Sequence, residues 1–186
     1  MPPTSRDHNR SPVLTLNAAI SPDWLTAYTT PRSITGRPVI DRGVVYAVSQ
    51  SGLMAAFSVN TGERLWSRDV GGIQTPWAAG DYVYVVDNNA RVLCVTRKEG
   101  KVRWIHQLPQ YEDPENKKDP IIWAGPVLVS DKLILVSSNG YAQALSPYDG
   151  KLTGRVEIPA GTVIAPVVAN GVLYLYTSDA ELVALR

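Results

Sequence analysis

The chain has 186 residues, 45% of them apolar and 19% charged, the balance of a folded chain with a substantial core rather than of a disordered one. Eighteen Lys and Arg against 17 Asp and Glu leave a formal net charge of +1, so the sequence carries no electrostatic footprint for nucleic acid or for an anionic membrane surface. A single cysteine, Cys94, excludes an internal disulfide, and no apolar run approaches the roughly 18 residues that a membrane-crossing helix needs.

Residues 1–33 read as a separate N-terminal segment. Its opening, MPPTSRDHNRSP, has neither the apolar stretch of an export signal nor a lipidation cysteine, and the first ten or so residues predict a mobile start. Within this segment VLTLNAAI, at 13–20, has the composition of a strand able to close a sheet.

From Pro38 onward the chain repeats itself. PVIDRGVVYAVS, PWAAGDYVYVVD, PVLVSDKLILVS and PVVANGVLYLYT, starting at Pro38, Pro76, Pro126 and Pro166, align without a gap. Eight residues after each proline stands a large apolar residue (Tyr46, Tyr84, Ile134, Tyr174) and eighteen after it a small one (Ala56, Cys94, Ala144, Ala184). At plus fourteen the residues are again small: Gly52, Ala90, Gly140 and Ala180. At plus twenty-eight come Trp66 and Trp104, then Gly154. Each copy predicts a short strand A, a tight turn, a β-branched and aromatic strand B, an Asn-, Asp- or Gly-rich turn, strand C, and a turn into strand D. Four antiparallel strands per repeat of this length predict an all-β fold of β-propeller blades, about four of them, half of an eight-bladed ring. The blades are read as 34–70, 71–108, 124–159 and an incomplete 164–186. The insertion PQYEDPENKKDPII, at 109–122, reads as a solvated loop of mixed charge.

These residues carry a resemblance. AAFSVNTGERLW, at 55–66, is similar to the A-x-D-x-x-T-G-x-x-x-W signature of pyrroloquinoline-quinone-like propeller repeats, with Ala56, Thr61, Gly62 and Trp66 in place and Ser58 where the pattern favours Asp. The second copy keeps Gly100 and Trp104, and the third keeps Ala144 and Gly150 but has Gly154 in place of the tryptophan. Through GGIQTPWAAGDYVYVVDNNARVLCV, at 71–95, and the final ELVALR, residues 34–186 most resemble the C-terminal half of the BamB family of outer-membrane assembly lipoproteins. That resemblance implies an eight-bladed propeller held by lipid at the periplasmic face of the outer membrane. It also implies, as partner, the POTRA domains of the barrel-assembly subunit. Half the blades and the missing export and lipidation signals are departures from the family pattern. Against the half-ring stand three expectations: a truncated piece, two copies joined head to tail into an eight-bladed homodimer, or strand 13–20 supplying the missing strand D.

Chemistry finds little support among the residues. One cysteine excludes the vicinal disulfide that quinoprotein dehydrogenases place against their cofactor, and no cluster of Asp, Asn and Glu suggests a calcium cage. No cofactor and no metal site is expected. His8 and His106 stand without ligand spacing, Cys94 occupies a small packing slot, and Trp66 and Trp104 read as inter-blade packing. The expectation is a non-enzymatic scaffold that binds a partner protein. A fragment of a quinoprotein-type dehydrogenase and an inactive truncated homologue are its rivals. In a propeller the B–C turns and D–A connections share one face, so 50–52, 71–77, 88–91, 109–124 and 138–140 become neighbours. That face would present Trp77, Asp87, Arg91, Tyr111 and Trp123 as the partner-binding residues, aromatics and arginine being frequent interface anchors.

Overall fold

Strand B of each repeat is apolar at nearly every position instead of at alternate ones, which is the pattern of a strand covered on both faces. A computed structural model, describing residues 36–186, shows what covers them. The first blade is an antiparallel sheet of β1 (Val39–Asp41), β2 (Val44–Val48), β3 (Met54–Ser58) and β4 (Arg64–Arg68). The second is built the same way from β5 (Trp77–Ala79), β6 (Tyr82–Val86), β7 (Arg91–Thr96) and β8 (Val102–Gln107). A small hairpin of β9 (Tyr111–Asp113) and β10 (Lys118–Pro120) follows. The third blade comprises β11 (Trp123–Val129), β12 (Lys132–Ser137), β13 (Tyr141–Leu145) and β14 (Leu152–Glu157). The fourth sheet has three strands, β15 (Val167–Ala169), β16 (Val172–Tyr176) and β17 (Leu182–Leu185). No helix occurs among the described residues. The strand read from VLTLNAAI, at 13–20, lies outside them.

The repeat offsets are explained by sheet register. Val39 pairs with Tyr46, Tyr46 with Ala56, and Ala56 with Trp66, so the offsets of one, eight, eighteen and twenty-eight mark one row across all four strands. Trp77, Tyr84, Cys94 and Trp104 form the same row in the second blade. Each row faces the next blade. Tyr46, Val48, Met54 and Trp66 pack against Val83, Val85, Leu93 and Val95, making one apolar core between the first two sheets. Tyr84, Val92 and Cys94 pack likewise on Leu133, Leu135 and Leu145. Ala124, Val136 and Ala142 meet Leu173 and Leu175 of the fourth sheet. Strand B is apolar at both parities because one parity serves the core ahead and the other the core behind.

Two tryptophans lock these interfaces. Trp66 Nε1 donates to the Arg97 carbonyl at 2.7 Å, and Trp104 Nε1 to that of Pro147 at 3.0 Å, each acceptor lying in the next blade. The indole rings lie on Gly100 and Gly150, where a Cβ atom would come within 2.6 Å of ring carbon Cε3 in both cases. Both glycines have left-handed backbone, φ +64° and +72°, so shape and conformation alike require glycine there. The small residues at plus fourteen have another cause: Gly52, Ala90, Gly140 and Ala180 all have positive φ, at the end of the B–C turn.

The insertion departs from the expected loop. It folds into the β9–β10 hairpin, with Lys118 opposite Asp113 and Pro120 opposite Tyr111, while Asp113 caps the turn by accepting from Asn116 Nδ2 at 2.7 Å. Replacing Trp66 by Ala removes both the packing and the N–H anchor of a nearly fully buried ring. A loss of about 3–5 kcal/mol in unfolding free energy is expected in urea titration.

Candidate functional site

The B–C turns and D–A connections converge on one face through backbone hydrogen bonds. Gly72 N donates to Ser49 O at 3.0 Å, Asn88 N to Gly71 O at 2.9 Å, Leu108 N to Ala90 O at 2.8 Å, and Ser138 N to Ile122 O at 2.9 Å. Side chains reinforce the seam: Asn88 Nδ2 donates to Gln50 O at 2.7 Å, and Gln110 Nε2 to Asn89 O at 2.6 Å.

Each B–C turn is organised by an oxygen-bearing residue eleven positions after the repeat proline, an offset not among those that define the repeat. Ser49, Asp87, Ser137 and Thr177 are all buried. Their side-chain oxygens accept from the backbone N–H four residues on, at 3.2 Å from Leu53, 2.8 Å from Arg91, 3.1 Å from Tyr141 and 3.3 Å from Glu181. The signal was present in the alignment as a small polar residue closing every strand B. It was masked because two serines, a threonine and an aspartate do not look like one residue type.

This capping role decides what Asp87 does. Besides Arg91 N it accepts from Asn89 N at 2.9 Å, and its Oδ2 is 2.7 Å from Arg91 Nε and 2.6 Å from Arg91 Nη2. A carboxylate so occupied, with its side chain 3% exposed, holds the turn and orients Arg91, whose own side chain is 39% exposed. Of the five residues expected to meet a partner, Arg91 is therefore presented to solvent by Asp87. Trp123 is 5% exposed, and its Nε1 donates to Pro109 O at 2.8 Å, tying the base of the insertion to β11. Trp77 is half-buried in the second inter-blade core, opposite Tyr84. Tyr111 is half-buried in the β9–β10 hairpin.

Between the turns lies a recess of about 470 Å³. Asp87 and Trp123 contribute to its wall, with Gln50, Gln74, Ile73 and Ile122 around them. Ile73 and Ile122 are 42% and 44% exposed, in connections that the repeat does not constrain. A smaller recess of about 310 Å³ adjoins it, lined by Gln50, Asp69, Asn88 and Arg91 among others. Trp77 and Tyr111 line neither recess. The site thus offers two aliphatic side chains, three side-chain amides and one oriented guanidinium on a hydrogen-bonded frame, a set suited to contact rather than to bond-making. Among the described residues no group of three or more His, Cys, Asp or Glu side chains converges.

The family model described as outer membrane protein assembly factor BamB matches residues 20–106. The assembly factor BamB of Alkalilimnicola ehrlichii is 31% identical over 150 residues, covering 80% of this chain and 37% of that protein. The chain is similar to BamB over four fifths of its length. The crystal structure of BamB from Moraxella catarrhalis superposes on 82% of it and 43% of its own length with a TM-score of 0.72, at 21% identity, a likeness of fold. A quinohemoprotein alcohol dehydrogenase from Comamonas testosteroni shares the fold at a TM-score of 0.53 and 18% identity over 68% of this chain. The BamB-like chain spans little more than a third of the length of the curated relatives it matches.

Two groups in the second blade titrate far from their ordinary values. Burial pushes the Cys94 thiol from 9.0 up to about 12, and burial likewise raises the Tyr84 phenol. A thiol that stays protonated is a poor nucleophile, so Cys94 is expected to resist Ellman's reagent at about pH 8 until the chain is unfolded. The unfolded thiol ionises first, so the unfolded state binds fewer protons and stability falls as pH rises from 9.0 towards about 12. Thermal melts should therefore show Tm dropping above about pH 9, with a smaller drop in Cys94→Ala.

Proposed function

We propose that the chain is a non-enzymatic scaffold of outer-membrane protein assembly, working in the periplasm at the outer membrane. In this reading residues 34–186 form the propeller unit, and the recess lined by Ile73 and Ile122 holds a partner protein. The partner is the POTRA domains of the barrel-assembly subunit. The observation that carries the reading is the pairing of two exposed isoleucines with an arginine held in place by a buried carboxylate, all on the loop face of a BamB-like fold. An apolar centre rimmed by amides and a guanidinium is the anatomy of a protein–protein contact. Titration calorimetry with the purified POTRA domains tests it. Ile122→Asp should weaken binding by about tenfold or more without lowering Tm, and Arg91→Glu should weaken it as much while also lowering Tm, because it leaves the buried Asp87 carboxylate without its partner. Wild-type affinity in both variants, or no binding by the parent chain, overturns the reading.

The terminal blade faces support a further element. Ile40 and Leu65 on the first blade are 67% and 50% exposed, and Val167 and Leu182 on the fourth sheet are 64% and 69% exposed. Among the described residues these pairs lie on the two outermost sheet faces, and a second copy docked head to tail would bury both pairs in an eight-bladed ring. Sedimentation equilibrium should give twice the 20.3 kDa chain mass. A monomer at all concentrations removes this element.

A further inference from the structure

The C–D turns of the first three blades are one turn repeated. Gly62, Gly100 and Gly150 all have left-handed backbone, with φ +72°, +64° and +72°. Their N–H groups donate to Ser58 O at 2.9 Å, Thr96 O at 2.8 Å and Ser146 O at 2.9 Å. The three turns differ in what they carry. Gly100 lies under the Trp66 indole and Gly150 under that of Trp104, each ring arriving from the strand D before. Three residues ahead of each glycine a carbonyl, of Arg97 or of Pro147, accepts the indole N–H. At the first blade no strand precedes β1 among the described residues, and the Val59 carbonyl, three residues ahead of Gly62, accepts no hydrogen bond from them. Val59 and Leu65, on either side of this turn, are 47% and 50% exposed.

Four of the five tryptophans have their places: Trp66 and Trp104 on glycines, Trp77 in a core and Trp123 on the Pro109 carbonyl. The fifth, Trp24, stands 38 residues before Gly62, between the 34 that separate Trp66 from Gly100 and the 46 that separate Trp104 from Gly150. The stretch that follows it, LTAYTT at 25–30, holds no Gly, Pro or charge and is rich in the Thr and Tyr that favour strands. The family match begins at residue 20 and so takes in Trp24. We infer that the outer face of the first blade is a seat for the chain's own Trp24, whose indole lies on Gly62 and donates its Nε1–H to the Val59 carbonyl. A left-handed glycine with a carbonyl three residues ahead is the pair of features that each of the other two docked indoles uses, one to admit the ring and one to satisfy its donor. The seat lies apart from the Ile73–Ile122 recess and depends neither on the partner proposed for that recess nor on a second copy.

The test is NMR on the full chain labelled with ¹⁵N and ¹³C. The Trp24 indole N–H, identified by its loss in Trp24→Phe, should exchange with solvent at least about tenfold more slowly than that of free tryptophan. Its ring should show nuclear Overhauser contacts to the Gly62 Hα protons. Gly62→Ala places a methyl group where the ring would lie and should abolish that protection, while the Trp66 and Trp104 indoles keep theirs. Exchange at the free-tryptophan rate in the parent chain, or unchanged protection in Gly62→Ala, would overturn the inference. If Gly62→Ala does not fold, the parent chain decides: absence of the Gly62 contacts overturns the inference, and their presence upholds it. In a mixture of labelled and unlabelled chains the contacts should lie within one chain; contacts seen only between chains would put a second copy in the seat and overturn it as well.

Discussion

The contact on which the rest of the structure depends is the one between successive blades. A single four-stranded sheet of this size has no interior of its own, so every apolar residue on its two faces must be covered by a neighbour. The row Val39, Tyr46, Ala56, Trp66 and its counterpart in the second blade supply that cover in graded sizes, with large residues on strands B and D flanking a small one on strand C. The indole then reaches over the adjoining sheet and hydrogen-bonds a carbonyl in the turn between its strands C and D. This interaction combines apolar burial with a satisfied N–H donor, which is why the ring can be enclosed without leaving a polar atom unpaired. It also sets the spacing of the blades, because the glycine under each ring leaves no room for a different separation.

Blade spacing in turn assembles the loop face. Once sheets are fixed by their cores, the B–C turn of one lies within hydrogen-bonding distance of the D–A connection leading into the next, and backbone bonds such as Asn88 N to Gly71 O join them. The turn-capping oxygens of Ser49, Asp87, Ser137 and Thr177 hold those turns in the shape the seam requires. Only Asp87 among them is charged, and only there does the cap also hold an arginine. A position used everywhere for architecture has thus acquired, in one blade, the additional effect of presenting a guanidinium on the recess face.

The repeat is also informative where it fails. Gly154 interrupts the tryptophan series without any backbone reason, and the insertion lengthens one D–A connection into a hairpin whose base is tied back by Trp123 and Gln110. Packing accounts for the residues that obey the period. The departures from it include the connections at the recess rim, where the chain has surface to offer. The scaffold reading from sequence accordingly kept its fold and its family resemblance but changed in its residues: Arg91 stays exposed, Asp87 and Trp123 become supports, and Ile73, Ile122, Gln50 and Gln74 enter as the surface they support.

Blade number, strand order and the identity of the packing row were legible in the amino-acid sequence, because period-two strands joined by short turns convert register into fixed residue offsets. Tyr46, Ala56 and Trp66 stand at constant distances from Pro38 for the same reason that they face each other across the sheet. What the sequence could not decide was exposure. Trp77, Trp123 and Tyr111 look alike as aromatics outside the strict repeat, yet one sits in a core, one anchors a connection and one lies in a hairpin. Burial depends on which blade packs on which and on how far a connection folds back, and both are long-range properties absent from local spacing. Only the tertiary structure brings Ile73 and Ile122, 49 residues apart, to the rim of one recess.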